Sequence, residues 1–274
     1  MIYFRRLKRM LILLGAYAIP KKVAALIAKY LLHTVGVGYA VEVYDSGEIR
    51  LLHRLFNKGD RFIIFDIGGN IGMYSSIVCN DFPCAEVHVF EPSKKHFQVL
   101  VDRLNIYTDR CHLNNFGLGS VKEIRTLYKD SEITGSATLI KRKLQEDMNI
   151  AEEVEIRDLP GYLYDKEISD IDFIKIDVEG WEYPIVTTLM PLLEKSKVDY
   201  IQFEITVNTI ENGFNVSDFL DIFGKNNYKV FIVSPSGSLN FISSRDDLAH
   251  IYLSTNYLAI SENAIPKRGK LCQL

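Results

Sequence analysis

From residue 61 onward, short apolar runs recur along the chain, and between them apolar positions return every three to four residues. Runs rich in β-branched and aromatic residues predict strands over Phe62–Ile67, Glu86–Phe90, Cys111–Phe116, Phe173–Asp177, Tyr200–Ile205, Lys229–Val233 and His250–Leu253. Helical spacing predicts helices over Gly72–Asn80, Ser93–Asn105 and Trp181–Lys195. Asn215-Val216-Ser217-Asp218 has the form of a helix cap, opening a further helix to about Lys225. Strands that alternate with helices imply an α/β fold with a mostly parallel, doubly wound sheet and helices on both faces. Ligands of such sheets bind at the carboxyl ends of the strands, beside the switch point in strand order.

Three segments depart from this alternation. Tyr39 to Ile49, with the turn Asp45-Ser46-Gly47, reads as a small hairpin. The polar stretch from Lys129 to Glu153 reads as a solvated loop or as a lid over the cleft. At the N-terminus, basic Arg5–Arg9, apolar Met10–Leu14 and Ala16-Tyr17-Ala18 follow the layout of a secretory signal. The helical pattern nevertheless continues from Lys21 to Leu32 with lysines interspersed, which favours an amphipathic helical arm. Such an arm packs on the main domain or sets its basic face on a membrane or partner. The expected organisation is an arm and hairpin over 1–58, one large domain over 59–262 and a tail over 263–274.

Composition narrows the classes. With 47% hydrophobic and 24% charged residues, the chain is globular rather than disordered. A formal charge of −3 supplies no general attraction to nucleic acid. The four cysteines form no CxxC pair and the six histidines no HExxH, so no metal ligand set is assigned and reduced thiols are expected.

The chemistry starts at Asp66-Ile67-Gly68-Gly69-Asn70-Ile71-Gly72, directly after a buried strand. Gly68 and Gly69 permit a tight reversal close to a ligand, and Gly72 lets the following helix pack closely. A dinucleotide fingerprint would need glycine at Ile67, so the turn reads instead as D-x-G-x-N-x-G, with Asn70 at a position that tolerates left-handed angles. Asp66 at the strand end favours a cationic cofactor and repels a pyrophosphate. Glu91 ends the next strand about 20 residues on, where an acid accepts hydrogen bonds from ribose hydroxyls.

A second constellation is Asp172-Phe173-Ile174-Lys175-Ile176-Asp177-Val178-Glu179-Gly180. Strand alternation places Lys175 and Asp177 on one face, joined by Glu179 if the extended backbone persists. A lysine within an apolar strand needs an acidic partner. Glu204 ends the following strand at the same level. Together these residues form either a structural ion pair with solvated acids, or a cleft group that positions an acceptor or removes its proton, with a hold on a divalent metal as the lesser alternative. Trp181 stacks on a ring there or packs at its helix start.

Five motifs in order are Phe65–Gly72, Phe90-Glu91-Pro92, Asn115–Gly119, Ile174–Glu182 and Phe203-Glu204, and through them the chain resembles the FkbM-type methyltransferases over about Phe62 to Ile205. Gly69 and Gly117 stand where that family usually has alanine, and Arg103 where asparagine is usual. The resemblance implies a class I methyltransferase, Rossmann-like fold with S-adenosylmethionine as donor. By position it implies cofactor contacts from Asp66, Gly68, Gly69, Asn70, Gly72 and Glu91, with Asn115 and Phe116 near the adenine. Asp177, Glu179, Lys175 and Glu204 are the candidate catalytic residues. The expected activity is O-methylation of a sugar hydroxyl in a surface polysaccharide or glycolipid precursor, in the cytoplasm and peripheral to the inner face of the membrane. Alternatives are a small-metabolite acceptor, a non-catalytic S-adenosylmethionine-binding module and a nicotinamide-dependent oxidoreductase, the last disfavoured by the glycine spacing.

Overall fold

The computed structural model describes residues 19–38, 43–132, 137–139, 150–243 and 254–264, with the single positions 12 and 15. Helix α1 (Lys21–Thr34) comes first, then α2 (Glu48–Leu55), strand β1 (Ile63–Ile67), α3 (Met73–Asp81), β2 (Glu86–Phe90), α4 (Lys94–Leu104) and β3 (Cys111–Asn114). Short β4 (Gly117–Gly119), β5 (Glu123–Lys129) and β6 (Ile150–Asp158) follow, then α5 (Leu159–Asp165), β7 (Ile171–Ile176), α6 (Glu182–Thr188) and α7 (Met190–Leu193). The chain continues through β8 (Val198–Ile205), α8 (Val207–Glu211), α9 (Val216–Lys225), β9 (Tyr228–Val233), β10 (Leu239–Phe241) and β11 (Thr255–Ser261).

The main sheet has eight strands in the order β10-β9-β11-β8-β7-β1-β2-β3. Pairing is parallel from β3 through β8, and β11 lies antiparallel between β8 and β9. Alternating side chains give the sheet two cores. Phe65, Phe90, Ile174, Ile176 and Phe203 face α5, α6 and α9, whereas Ile64, Val87, Val89, Phe173 and Tyr200 face α2, α3 and α4. Strands β4, β6 and β5 form a separate three-stranded sheet.

Several expectations shift by local physics. The turn at Asp45-Ser46-Gly47 opens α2 instead of a hairpin, with Gly47 at φ 90° as N-cap. Glu48, Leu51, Leu52 and Leu55 are its buried face, at helical spacing; residues 39–42 lie outside the described residues. The helix expected over Trp181–Lys195 breaks at Leu189, because Pro191 lacks the N–H that would continue it. The strand expected over Cys111–Phe116 ends at Asn114, and Asn115 and Phe116 form the bend that leads into β4. The polar stretch after Lys129 returns as β6, paired with β5, and places Thr138 in a bridge to Tyr128. Asn215 caps α9 through a capping box, with Asp218 returning the bond. The strand expected at His250–Leu253, the signal-like stretch before residue 19 and the tail after 264 lie outside the described residues, apart from the two single positions. Among the described residues no helix is long and apolar enough to cross a membrane.

Phe203 anchors the larger core. Its ring stacks with Phe219, Phe223 and Tyr257 at centroid distances of 4.9, 5.3 and 5.4 Å. Phe203→Ala leaves a cavity among rigid rings and is expected to destabilise the fold by about 3–5 kcal/mol, measured by urea unfolding; a loss under about 1 kcal/mol would refute this packing role.

Candidate active site

The carboxyl ends of β1, β2, β7 and β8 open on one cleft, about 840 Å³ of empty space with its mouth included. Its walls include Gly68, Asn70, Glu91, Asp177, Glu179 and Glu204, together with Pro92, His96, Leu118 and Trp181. Its concave lining of apolar side chains with a few convergent polar groups suits a small-molecule ligand.

The glycine turn shapes one wall. After β1 the chain turns so tightly that a Cβ on Gly68, at φ 90°, would sit 1.8 Å from the Asp177 carbonyl oxygen. Asn70 adopts φ 48°, the left-handed conformation that its residue type tolerates. Gly69 and Gly72 face away from the cleft, toward Val89 and Leu100. Gly72 therefore serves close packing against α4 rather than against the sheet.

Glu91 is buried at the end of β2. Its Oε2 accepts the Asn70 backbone N–H at 2.9 Å and its Oε1 that of Ser93 at 2.8 Å. Burial raises its carboxyl to about 7 despite those two bonds. Asn115 and Phe116 stand behind this wall. Asn115 Nδ2 donates to the Glu91 and Pro92 carbonyls at 2.9 and 3.2 Å, while Phe116 packs in the core beneath the Arg157 guanidinium. The neighbouring Gly117 and Leu118 reach the cleft instead.

Asp66 and Lys175 line a side recess that meets the cleft at Gly68, Asn70 and Asp177. Asp66 pairs in register with Lys175, and Lys175 with Gln202, so a polar row crosses three strands beneath α2 and α3. Lys175 Nζ donates to Asp177 Oδ2 at 2.9 Å and lies 3.8 Å from Asp66 Oδ1. Burial opposes charge on this amine, but Asp177, Asp66 and Glu48 together hold the ammonium above the usual lysine range. Lys175 is therefore a fixed cation rather than a base. Glu48 bonds Ser46 and Gln202 in the same recess, a contribution from a segment that hairpin reasoning had assigned to a separate unit.

The acidic turn after β7 departs from strand alternation. Glu179 sits at φ 53°, and its Oε2 accepts from Asn208 Nδ2 at 2.6 Å instead of joining Lys175. Glu182, which spacing did not single out, accepts the Gly180 N–H at 2.9 Å and the Thr209 hydroxyl at 2.9 Å. Burial raises it to about 7. Glu204 is pushed well above its ordinary value by burial and then by Asp177, Glu179 and Glu182. Trp181 lines the cleft with the Arg125 guanidinium over its ring at 4.4 Å. Ala137 and Leu139, from the stretch read as loop or lid, complete the wall, and the Thr138 hydroxyl donates to the Glu179 carbonyl.

A reversed strand between the fifth and sixth parallel positions distinguishes this sheet from a dinucleotide-binding one. With a glycine turn ending β1 and an acid ending β2, it defines a class I methyltransferase. Residues 66–230 match the methyltransferase FkbM domain, and the chain belongs to that family, with S-adenosylmethionine as methyl donor. None of the curated proteins matches the chain. Among solved structures it is similar to cofactor-bound Rv0187 from MTB, at 11% identity over 90% of this chain and 94% of that one, TM-score 0.44. It is also similar to the O-methyltransferase from Bacillus cereus in complex with SAH, at 13% identity over 91% and 95%, TM-score 0.42. A third is precorrin-6y C5,15-methyltransferase from Geobacter metallireducens GS-15, at 10% identity over 82% and 92%, TM-score 0.42.

Glu182 holds its proton more tightly folded than unfolded, so it favours the folded state fully below pH 4.5 and loses that advantage as pH rises to about 7. Glu182→Gln, which does not titrate, is expected to gain on the wild type by on the order of 2 kcal/mol between pH 5 and pH 8. Urea unfolding at the two pH values measures the difference; a constant offset would contradict the shift.

Proposed function

We propose that the protein O-methylates a sugar hydroxyl of a surface polysaccharide or of its lipid-linked precursor. The supporting observation is the ring of acids around the cleft, Asp177, Glu179 and Glu204, one of which is held well above its ordinary range. A carboxylate accepts hydrogen bonds and a protonated carboxyl also donates one, so such a set suits an acceptor that presents several hydroxyl groups. In this reading, Glu91 takes the ribose hydroxyls through its remaining lone pairs. Gly68 and Asn70 bring the backbone against the ligand, and the buried Asn70 Oδ1, which has no hydrogen-bond partner among the described residues, is left for a polar group of the ligand.

When bound, the donor supplies an electrophilic methyl group on a sulfonium. Asp177 stands where recess and cleft meet, and the Lys175 ammonium holds its Oδ2. Its Oδ1 is left to orient the acceptor hydroxyl and take its proton. Glu179, steadied by Asn208, and Glu204 hold the neighbouring hydroxyls. Fixing the acceptor in line with the methyl group supplies much of the rate.

Helix α1 supports the lipid-linked form of the acceptor. It buries no residue, and Val23, Leu26, Ile27 and Tyr30 form an exposed apolar stripe beside Lys21, Lys22 and Lys29. Packing on the domain starts only with Leu32 and Val35, at its end. A stripe with flanking lysines fits the interface of an anionic membrane, and this supports the reading of a cytoplasmic protein peripheral to the inner face.

Two outcomes follow. With labelled donor and a glycolipid fraction of the source cell, Asp177→Asn is expected to keep its calorimetric affinity for S-adenosylhomocysteine but lose roughly 10²–10⁴-fold in transfer. Unchanged turnover would remove Asp177 from the chemistry, and label confined to small metabolites would favour that acceptor class. In sedimentation with phosphatidylglycerol vesicles, the wild type is expected to pellet and Leu26→Asp to remain in solution; equal behaviour would remove the arm from membrane contact.

A further inference from the structure

Three metal-binding side chains meet away from the cleft, toward the amino ends of β2 and β3. Glu86 opens β2 and His88 follows two residues later, so both project from one face. His112 on edge strand β3 lies directly opposite His88 in the parallel register. Glu86 Oε1 is 3.2 Å from His88 Nε2 and 3.0 Å from His112 Nε2. The two imidazoles lie side by side, with centroids 4.5 Å apart and planes tilted by 27°. All three ligand atoms fall within 4.8 Å of one another.

The ring of His88 is buried and held from behind. Its Nδ1 meets the Tyr162 hydroxyl at 2.7 Å, and that hydroxyl accepts from Asn114 Nδ2 at 3.2 Å. An anchored second nitrogen is the usual means by which a protein orients a histidine ligand and aims its other nitrogen. Glu86 and His112, in contrast, are 47% and 33% exposed, which leaves an entry path and freedom to rotate.

Two imidazoles and a carboxylate suit zinc, whose bonds to nitrogen and oxygen are about 2.0–2.2 Å. Tetrahedral donors on one such ion stand about 3.3 Å apart, close to the two present Glu86–histidine spacings. Rotation of Glu86 and His112 about the fixed His88 makes room for the ion between them. We infer that Glu86, His88 and His112 form a zinc site, with water as the fourth ligand. Zinc takes the Nε2 lone pair of each neutral imidazole, whose single ring proton then sits on Nδ1, where in His88 it is donated to the Tyr162 hydroxyl. The ion ties the edge strand β3 to β2 and belongs to the fold rather than to methyl transfer. Linear spacing misses the site because 23 residues separate the two histidines, which the register alone brings together.

The test uses the full chain, stripped of metal and kept reduced. Titrated cobalt(II) is expected to bind at one equivalent, giving visible bands of a four-coordinate nitrogen and oxygen site that zinc abolishes. His112→Ala and Glu86→Gln are each expected to weaken zinc at least tenfold against a chromogenic chelator. Their circular dichroism and S-adenosylhomocysteine affinity should stay unchanged. A thiolate-to-cobalt charge-transfer band would place the ion on cysteine and overturn the assignment. Unchanged zinc affinity in His112→Ala, or no binding at micromolar metal, would overturn it equally.

Discussion

The buried ammonium of Lys175 is the constraint around which the catalytic end of the sheet is arranged. A cation inside a sheet is tolerated only where acids surround it. Here they come from the end of β1, from the residue after β7 and from α2, as Asp66, Asp177 and Glu48. One charge thereby brings together three segments distant in sequence. The β1 turn then lies so close to Asp177 that Gly68 has no room for a side chain. The glycine turn after β1 and Asp177 after β7 occupy one place because the same ion cluster holds both.

The remaining acids divide by what answers their burial. Glu91 and Glu182 are each met by backbone N–H groups, so they shape the turns that carry them. Glu204 is met by other acids, which raise its carboxyl beyond the effect of burial. Such displacement of acids within one cavity is what proton handling near neutral pH requires. Asn115 and Tyr162 work a layer further out, holding the Glu91-Pro92 turn and the His88 ring.

Much of the sheet was legible in advance. Parallel strands buried on both faces are rich in apolar residues, and β2 spans the Glu86–Phe90 expected of it. The cap at Asn215 was equally plain, because it is local chemistry. Misreadings arose where a local signal admitted two continuations. Asp45-Ser46-Gly47 marks a turn whether a strand or a helix follows, and only the buried spacing of Glu48, Leu51, Leu52 and Leu55 favours the helix. Strand alternation carried Glu179 onto the face of Lys175, but a left-handed residue at that point turns its carboxylate to Asn208. The small sheet of β4, β5 and β6 leaves no distinct sequence signal, because β6 alternates charge with apolar residues, as an exposed polar segment also does.

What the sequence determined by itself is the order of elements, the glycine turn after β1, the acid after β2 and the acidic turn after β7. Each depends on neighbours a few residues apart, where backbone geometry and side-chain period act directly. Only the tertiary structure decided that Asp66 and Lys175 occupy a recess beside the cleft, that Glu48 reaches them from outside the matched domain, and that His88 meets His112. Those are matters of register between strands and of the closing of a helix over a sheet face. They follow from burying the whole apolar surface at once, and no local stretch of chain carries that information.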